Sequence, residues 1–173
     1  MRNHFHSKGF TIIETIVAIS IVVIIIMGAT KAVQRGLSLY IFSKDQITGF
    51  YLAQEGFEQI RNIRDENRIN GRNWLAGIAN ASSDPCYFGQ SCTVSPVETQ
   101  AAIRCSALGS CPALGQDASG FYGYNAAWAV TPFTREISLS PISADEMAVT
   151  VTVSWSKGGS ARQFQARENI LNW

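Results

Sequence analysis

Residues 8–31 read KGFTIIETIVAISIVVIIIMGATK and determine how the rest of the chain is organised. Between the two lysines lies an almost unbroken apolar run, interrupted near its start by a single acid, Glu14. The segment from Phe10 to Ala29 would span about 30 Å as a helix, which matches the hydrocarbon core of a bilayer. The run therefore predicts a membrane-spanning helix. Because a carboxylate is costly there, Glu14 predicts a functional site with a partner.

The residues before the apolar run form a basic leader, MRNHFHSKG, which contains Arg2 and Lys8 and no acid. A secretory signal peptide has its small-residue cleavage site after the apolar stretch, whereas here the small residue, Gly9, precedes it. Cleavage after Gly9 would remove the leader and keep the apolar segment. The basic leader also favours a cytoplasmic N-terminus, although Lys31 and Arg35 on the far side weaken that argument.

The motif KGFT, followed by Glu14 at the fifth position after the glycine, resembles the signature of type IV prepilins. This family includes major and minor pilins and the pseudopilins of type II secretion. The resemblance covers about residues 7–31. It implies that a prepilin peptidase cuts after Gly9 on the cytoplasmic face and methylates the new N-terminal amine of Phe10. It further implies an inner-membrane protein with a periplasmic C-terminal domain, which joins other pilin-like subunits in a filament through its N-terminal helix.

The chemistry of Glu14 also follows from the residues themselves. Cleavage creates a cationic α-amine at Phe10. In a bundle of identical helices, a neighbour displaced along the axis brings its amine to Glu14, and opposite charges attract strongly in a low dielectric. We therefore expect Glu14 to set the register of assembly, as the resemblance also implies. The alternative is an acid tolerated near the membrane surface in a plain signal anchor.

The charge balance gives no support for a nucleic-acid partner. The chain has 14 basic and 13 acidic side chains, and loss of Arg2 and Lys8 would leave 12 basic ones. One basic cluster has helical spacing, at Arg61, Arg64, Arg68 and Arg72. Because acids are interleaved with it, the cluster is interpreted as a solvated helix end that complements the macrodipole. A DNA or phosphate patch is the alternative.

Four cysteines follow the apolar segment in two C-x5-C pairs, Cys86 with Cys92 and Cys105 with Cys111. Outside the inner membrane such an even set is expected to oxidise. Three connectivities are possible, and the two local pairs are favoured. The alternative is a four-cysteine zinc site, which usually has tighter spacing. The cysteines therefore predict disulfides and no metal.

After the membrane segment, apolar residues recur at spacings of three and four, which predicts that the helix continues to about Arg68. Asn70-Gly71 is the expected stop. The predicted apolar stripe is Val33, Leu37, Tyr40, Ile47, Phe50, Ala53, Phe57, Ile60 and Ile63. The glycines that interrupt it, Gly36, Gly49 and Gly56, are either sites of bending or close packing or simply tolerated.

Residues 71–123 predict a long loop region, since they are rich in small and polar residues and show no clear period. A short helix is expected within it, around Val97 to Arg104. Loops of this length are usually functional or tied down, and the disulfides would tie this one. The resemblance implies that this is a variable, surface-exposed region where partners would bind.

The C-terminal third predicts an antiparallel meander that packs on the helix stripe. Strands are expected at 124–131, 134–140 and 147–155, followed by a turn at 156–160 and a return strand at 162–171. The residues expected on the buried face are Val149, Val151, Val153, Trp155, Phe164, Ala166 and Ile170.

The predicted fold is therefore α+β and pilin-like, with a long N-terminal helix packed on a C-terminal antiparallel meander. Its predicted parts are a cleaved leader at 1–9, a membrane and assembly half of the helix at 10–30, an amphipathic half at 31–70, the loop region at 71–123 and the sheet at 124–173.

An enzyme is not expected, because both histidines, His4 and His6, lie in the leader. Cleavage would remove the commonest general base, and no nucleophile-elbow, phosphate-loop or zinc-protease motif is present. No cofactor is expected. The leading hypothesis is a structural subunit of a type IV pilus or a type II secretion-like filament, of the minor pilin or pseudopilin type. The alternatives are an uncleaved, signal-anchored periplasmic binding or sensor module, and a pilin-like adhesin or DNA-uptake subunit.

Overall fold

The computed structural model describes residues 9–95, 101–107 and 109–173. Within these ranges the chain forms one helix, α1 (Ile12–Ile69), and seven strands. The strands are β1 (Ser91–Val94), β2 (Ala102–Arg104), β3 (Ala113–Gln116), β4 (Tyr122–Gly123), β5 (Ala129–Ser143), β6 (Glu146–Lys157) and β7 (Ser160–Leu171). The chain divides into two compact units, one ending at Lys44 and one from Asp45 to Trp173. We call the second unit the head.

Helix α1 ends at the predicted stop. Gly71 has a φ of +67°, in the left-handed region that glycine enters without strain. The N–H of Arg72 donates to the carbonyl of Asn67 at 2.8 Å, and the N–H of Gly71 donates to that of Arg68 at 3.1 Å. This pair of bonds is the Schellman motif, which satisfies the last carbonyls of a helix.

The seven strands form one antiparallel sheet with β5 at its centre. This strand of 15 residues pairs with β6 along one edge and with both β1 and β3 along the other. The sheet then extends from β1 to β2, from β3 to β4 and from β6 to β7. The predicted α+β class, a long N-terminal helix with an antiparallel sheet, is confirmed.

The hairpin between β6 and β7 has the predicted position and a tight turn. Lys157 pairs with Ser160, which leaves a loop of only Gly158 and Gly159. Both glycines have positive φ, +58° and +80°. Two consecutive left-handed residues make a type I′ turn, whose twist matches that of the flanking strands. This register places the predicted apolar residues of β6 and β7 on one face of the sheet.

The core of the head lies between the last six turns of α1 and this face of the sheet. Ala53, Phe57 and Ile60 are buried on the helix, as predicted. Other predicted members of the stripe are exposed, namely Val33, Leu37, Tyr40, Ile47 and Phe50, so the stripe prediction is wrong for them. The predicted strand residues Val149, Val151, Val153 and Trp155 are all buried. Phe164 and Ala166 are partly buried beside them.

Two of the three helix glycines allow close approach of α1 to the sheet. A Cβ added at Gly49 would lie 3.0 Å from the Trp155 ring, and one at Gly56 would lie 3.1 Å from Val151. A Cβ at Gly36 would meet nothing within 4 Å. The interpretation as close packing is therefore correct for the first two glycines, whereas Gly36 is only tolerated.

The segment between helix and β5 contains four short strands that the sequence did not predict. The helix expected around residues 97–104 is wrong at Ala102–Arg104, which form β2; residues 97–100 lie outside the described ranges. These strands were not predicted because they are short and, in β1, buried on both faces. A strand of two to four residues shows no readable alternation, and all four residues of β1 are buried.

The strand expected at 124–131 is wrong over residues 124–128, where the chain turns. β4 ends at Gly123 and β5 begins at Ala129. The Asn125 side chain accepts from the N–H of Ala127 at 2.9 Å, and its carbonyl accepts from Trp128 at 3.1 Å. An asparagine that bonds its own following backbone in this way initiates a turn in place of a strand.

Candidate functional site

The predicted cleavage site lies in accessible backbone just before the helix. Gly9 and Phe10 precede the first residue of α1, Ile12. The Phe10 side chain is 80% exposed, and a Cβ added at Gly9 would meet nothing within 4 Å. Hydrolysis needs a peptide bond that an enzyme can reach, and the bond between Gly9 and Phe10 satisfies that condition.

Glu14 lies in the first turn of α1, where Thr11 caps the helix. The N–H of Glu14 bonds the Thr11 hydroxyl oxygen at 3.4 Å and the Thr11 carbonyl at 3.1 Å. The spacing Thr-x-x-Glu is that of a capping box, and an acid in the first turn is also favoured by the helix dipole. Sequence reasoning missed this cap by Thr11, although the Thr-x-x-Glu spacing was readable.

The other polar side chains of the apolar segment are satisfied by its own backbone. The hydroxyls of Thr15, Ser20 and Thr30 donate to carbonyls three or four residues earlier, at 2.7–2.8 Å. In the part of the chain that the structure describes, the carboxylate of Glu14 has no hydrogen-bond or ion-pair partner. Glu14 is thus the acid of this segment, and its side chain is exposed.

The first unit presents its apolar side chains outward. Among the described residues, α1 is the one helix that is long and apolar enough to span a membrane, and its most apolar 18-residue stretch is 0% buried. Ile19 and Ile24, for example, are 63% and 69% exposed. A core helix of a soluble protein would be buried, so this helix needs lipid or another protein to cover it.

The four cysteines tie the short strands of the head together. Cys86 is bonded to Cys92 and Cys105 to Cys111, the local pairs that the spacing favours. Cys92 lies in β1, and Cys105 follows β2 and donates its N–H to Ser91 at 2.9 Å. All four are buried, so the bridges close small loops inside the head, where the strands alone are very short.

The arginines near the end of α1 hold the C-terminal strand to the helix. Arg61 pairs with Glu168 of β7 at 2.6 Å. The guanidinium of Arg64 lies 5.1 Å from the centre of the Trp173 ring, in cation–π geometry, and Arg68 donates to the Trp173 backbone oxygen at 3.0 Å. The interpretation as a solvated helix end is wrong for Arg64, which is only 8% exposed.

The structure also contains a buried cation that sequence reasoning missed. Arg135 of β5 is 0% exposed and donates to groups on two other elements. On α1 it reaches the Leu52 carbonyl (3.3 Å), the Glu55 carboxylate (3.0 Å) and the Gln59 amide oxygen (3.0 Å), and on β1 the Val94 carbonyl (2.7 Å). We call these five residues the Arg135 cluster. The available signal was the alternation of β5, which places Arg135 on the same face as its buried apolar neighbours.

Two more side chains border the Arg135 cluster. The phenol of Tyr124 and the hydroxyl of Thr93 are hydrogen-bonded to each other. Burial raises the pKa of Tyr124 above its ordinary value, while the nearby charge of Arg135 acts in the opposite direction. The phenol therefore stays protonated at neutral pH, and the cluster has one cation and the single carboxylate of Glu55.

Residues 5–30 match the family model described as the prokaryotic N-terminal methylation motif, the class III signal peptide of type IV pilins. The match confirms the resemblance to the type IV prepilin and pseudopilin family that residues 8–14 predicted. Proteins with this motif are structural subunits rather than enzymes. The motif covers residues 5–30 of the 173, and together with the exposed apolar helix it indicates a membrane anchor. No curated protein and no solved structure matches the chain significantly.

Proposed function

We propose that this chain is a structural subunit, of the minor pilin or pseudopilin type, of a type IV pilus or a type II secretion-like filament. In this proposal a prepilin peptidase cuts after Gly9 and methylates Phe10, and the mature chain assembles through α1. The observation that carries the proposal is the methylation motif at residues 5–30. The accessible bond between Gly9 and Phe10 and the uncovered apolar segment support it.

The same proposal assigns an assembly role to Glu14. Its carboxylate has no partner in the described part of the chain, while neighbouring hydroxyls are satisfied by the helix backbone. The amine that cleavage creates at Phe10 has the complementary charge, and in a second copy it can approach Glu14 inside an apolar bundle. The attraction is strong there because the surroundings do not screen it.

The head is proposed to face the periplasm. Its two disulfides need an oxidising compartment to form and persist. The basic leader favours the cytoplasm for the other end of the membrane segment. The disulfides and the basic leader support this topology, and the proposed role of the head is structural.

Processing tests the proposal directly. The full chain is expressed with and without a prepilin peptidase, and intact mass and N-terminal peptides are measured. We expect the processed chain to begin at N-methylated Phe10. Gly9→Leu is expected to block processing, because a side chain then stands at the position that the peptidase must approach. Gly28→Leu is the matched control, since Gly28 is also unobstructed but lies within the helix.

A chain that still begins at Met1 in the presence of the peptidase would contradict the proposal. That result would favour the alternative of an uncleaved, signal-anchored periplasmic binding or sensor module. Processing of the Gly9→Leu variant at an unchanged position would contradict the assignment of the cleavage site.

A further inference from the structure

We propose that one face of α1, just beyond the apolar segment, docks into an acidic groove on the head of a second copy of this chain. The face consists of Gly28, Lys31 and Arg35, and we call it the basic flank. The proposal rests on the proposed function in one respect, since assembly through α1 places parallel helices side by side.

The charges of the chain are segregated between its two units. From Phe10 to Lys44 there are three basic side chains and one acidic side chain, Glu14. The head has nine basic and twelve acidic side chains. The first unit without its leader is therefore net positive and the head is net negative. Because opposite charges attract, the first unit of one copy is drawn to the head of another.

The cations of the basic flank are unpaired within the described chain. Lys31 and Arg35 are exposed and lie about one turn apart, and neither has an ion pair among the described residues. Gly28 lies three residues before Lys31, and a Cβ there would meet nothing within 4 Å. Basic residues at this end of the membrane segment oppose the proposed orientation. Membrane topology therefore does not account for them.

The acidic groove lies on the head between α1 and β7 and has a volume of about 420 Å³. Its lining includes the carboxylates of Glu55, Glu58 and Glu168. Arg61 is shared between Glu58 at 2.5 Å and Glu168 at 2.6 Å, and Glu55 pairs with Arg135 at 3.0 Å. Three carboxylates thus face two guanidinium groups, which leaves the groove with an excess of negative charge.

The carboxylates of the groove are open to a partner. The side chains of Glu58 and Glu55 are 60% and 34% exposed, and Tyr51 beside them is 64% exposed. A surface pair such as that of Glu58 with Arg61 contributes little, so Glu58 can bind a second cation. Carboxylates beside an aromatic ring suit a guanidinium or ammonium group, which pairs with the acid and lies over the ring.

The two surfaces have the same helical spacing. Residues 28, 31 and 35 are separated by three and four positions, as are residues 51, 54 and 58 of the groove. A displacement of about 23 residues between parallel helices, or roughly 35 Å, therefore brings the two sets level. In this arrangement Arg35 of one copy lies opposite Glu58 of the other.

The same displacement satisfies the rest of the basic flank. Lys31 lies opposite Gln54, next to Glu55, and Gly28 lies opposite Tyr51. The missing side chain of Gly28 leaves room for the aromatic ring. This neighbour is farther along the filament than the copy whose amine reaches Glu14, so the two contacts do not compete.

The test applies a water-soluble carbodiimide to filaments sheared from the host. This reagent joins an ammonium group directly to a carboxylate, so it reports only groups in contact. Lys31 and Glu55 of one copy lie roughly 36 Å apart along the same helix, so any bond between them joins two copies. We expect bonds from Lys31 to Glu55 or Glu58 to be at least about five-fold more abundant than bonds to Glu66, a comparably exposed acid of α1.

Charge reversal sharpens the test. Arg35→Glu keeps the reactive Lys31 and is expected to lower the yield of the bond to Glu55 about five-fold. Adding Glu58→Arg restores opposite charges and is expected to recover the yield, whereas adding Glu66→Arg is not. Filament yield itself is expected to be insensitive to loss of Glu58 alone, because two other carboxylates remain in the groove.

Filaments that contain the chain and lack these bonds would overturn the proposal, and so would a charge-swapped variant without recovery. Should the chain form no filaments, the proposed function fails, and an acetylated peptide of residues 28–44 is then cross-linked to the full chain in detergent micelles. Adducts of the peptide concentrated at Glu55 and Glu58 would support the docking. Adducts equally frequent at Glu66, or none in the groove, would overturn it. The two failures are therefore distinguishable.

Discussion

The two halves of α1 differ in apolar content and have opposite surroundings: 21 of the 33 residues from Ile12 to Lys44 are apolar, against nine of the 25 from Asp45 to Ile69. Up to Lys44 the helix presents its isoleucines and valines outward, and its most apolar window is 0% buried. From Gly49 onward one face is buried against the sheet, with Ile60 at 0% exposure. The more apolar half is the one that the described chain leaves uncovered, whereas the half with more charged residues has one face buried. The second half packs against the sheet of the same chain, whereas the first half needs lipid or another protein to cover it.

The largest expected effect concerns Glu14 in the first half of α1 and is measured as incorporation into filaments. Glu14→Ala is expected to reduce incorporation into filaments about 100-fold or more, because the amine of a neighbouring copy would then be buried without its anion. The head should unfold at the same temperature as before, since Glu14 lies outside it. Filament yield after shearing and thermal unfolding of the head measure the two outcomes.

Glu58→Ala is the matched control for this prediction. Glu58 is an exposed acid on the second half of α1 that pairs with Arg61 at the surface. Surface pairs contribute little, so its loss should change neither filament yield nor the stability of the head appreciably. Equal incorporation of the Glu14→Ala subunit would remove the proposed assembly role of Glu14.

The next prediction compares the loss of an isoleucine side chain in the two halves of α1. Ile60→Ala should destabilise the head by about 2–5 kcal/mol, since it leaves a cavity at a fully buried position. Ile19→Ala should leave the stability of the head unchanged, because Ile19 is 63% exposed and belongs to the first unit. Urea unfolding followed by the fluorescence of buried Trp155 measures both. A comparable loss in the two variants would show that the halves are not energetically separate.

A smaller effect is expected from glycine. Gly56→Leu should destabilise the head by about 1–3 kcal/mol through overpacking, since even a Cβ there would lie 3.1 Å from Val151 and 3.2 Å from Arg135. Gly36→Leu should not destabilise, because the space around Gly36 is open and leucine is the better helix former. The denaturant midpoints of the two variants measure these changes in stability. A stabilised Gly56→Leu head would contradict the observed close approach of α1 to the sheet.

The sequence was sufficient for the long elements and for the N-terminal segment. The helix, its stop at Gly71 and the β6–β7 hairpin have periodic patterns over ten or more residues and unambiguous turn chemistry. The methylation motif is a local string, and its match at residues 5–30 needs no tertiary structure. These features are determined by neighbours in sequence, which is why they could be predicted.

The remainder depends on contacts between distant residues. β1 and β2 are too short to show a period and are defined by pairing with each other and with β5. Ile47 of the predicted stripe is exposed because it lies two residues, about 200° around the helix, from Gly49, which faces the sheet. Arg135 reads as a polar strand residue until Glu55 and Gln59 are known to lie opposite it. The alternation of β5 could place Arg135 on the buried face, but its partners could be identified only from the structure.

The smallest expected effect on stability is at Tyr124, which borders the Arg135 cluster in the second half of the comparison. Tyr124→Phe should cost about 0.5–1.5 kcal/mol at neutral pH, since the hydrogen bond to Thr93 is lost. The substitution should also change how the free energy of unfolding varies with pH above neutrality. Burial raises the pKa of Tyr124, so the folded head retains the phenolic proton to higher pH than the unfolded chain does.

The sign of that pH dependence follows from the proton count. Above the ordinary pKa of about 10, the unfolded chain has lost a proton that the folded head still holds, so stability falls as pH rises. Below that pH both states are protonated and the contribution is constant. Urea unfolding between about pH 8 and pH 11 should therefore show a shallower decline for Tyr124→Phe than for the original head. Part of the decline should remain, because burial also raises the pKa of Tyr122. If stability declined equally with pH in Tyr124→Phe and in the unchanged head, the Tyr124 phenol would have the same pKa in the folded and unfolded states. The region around Arg135 would then be open to water.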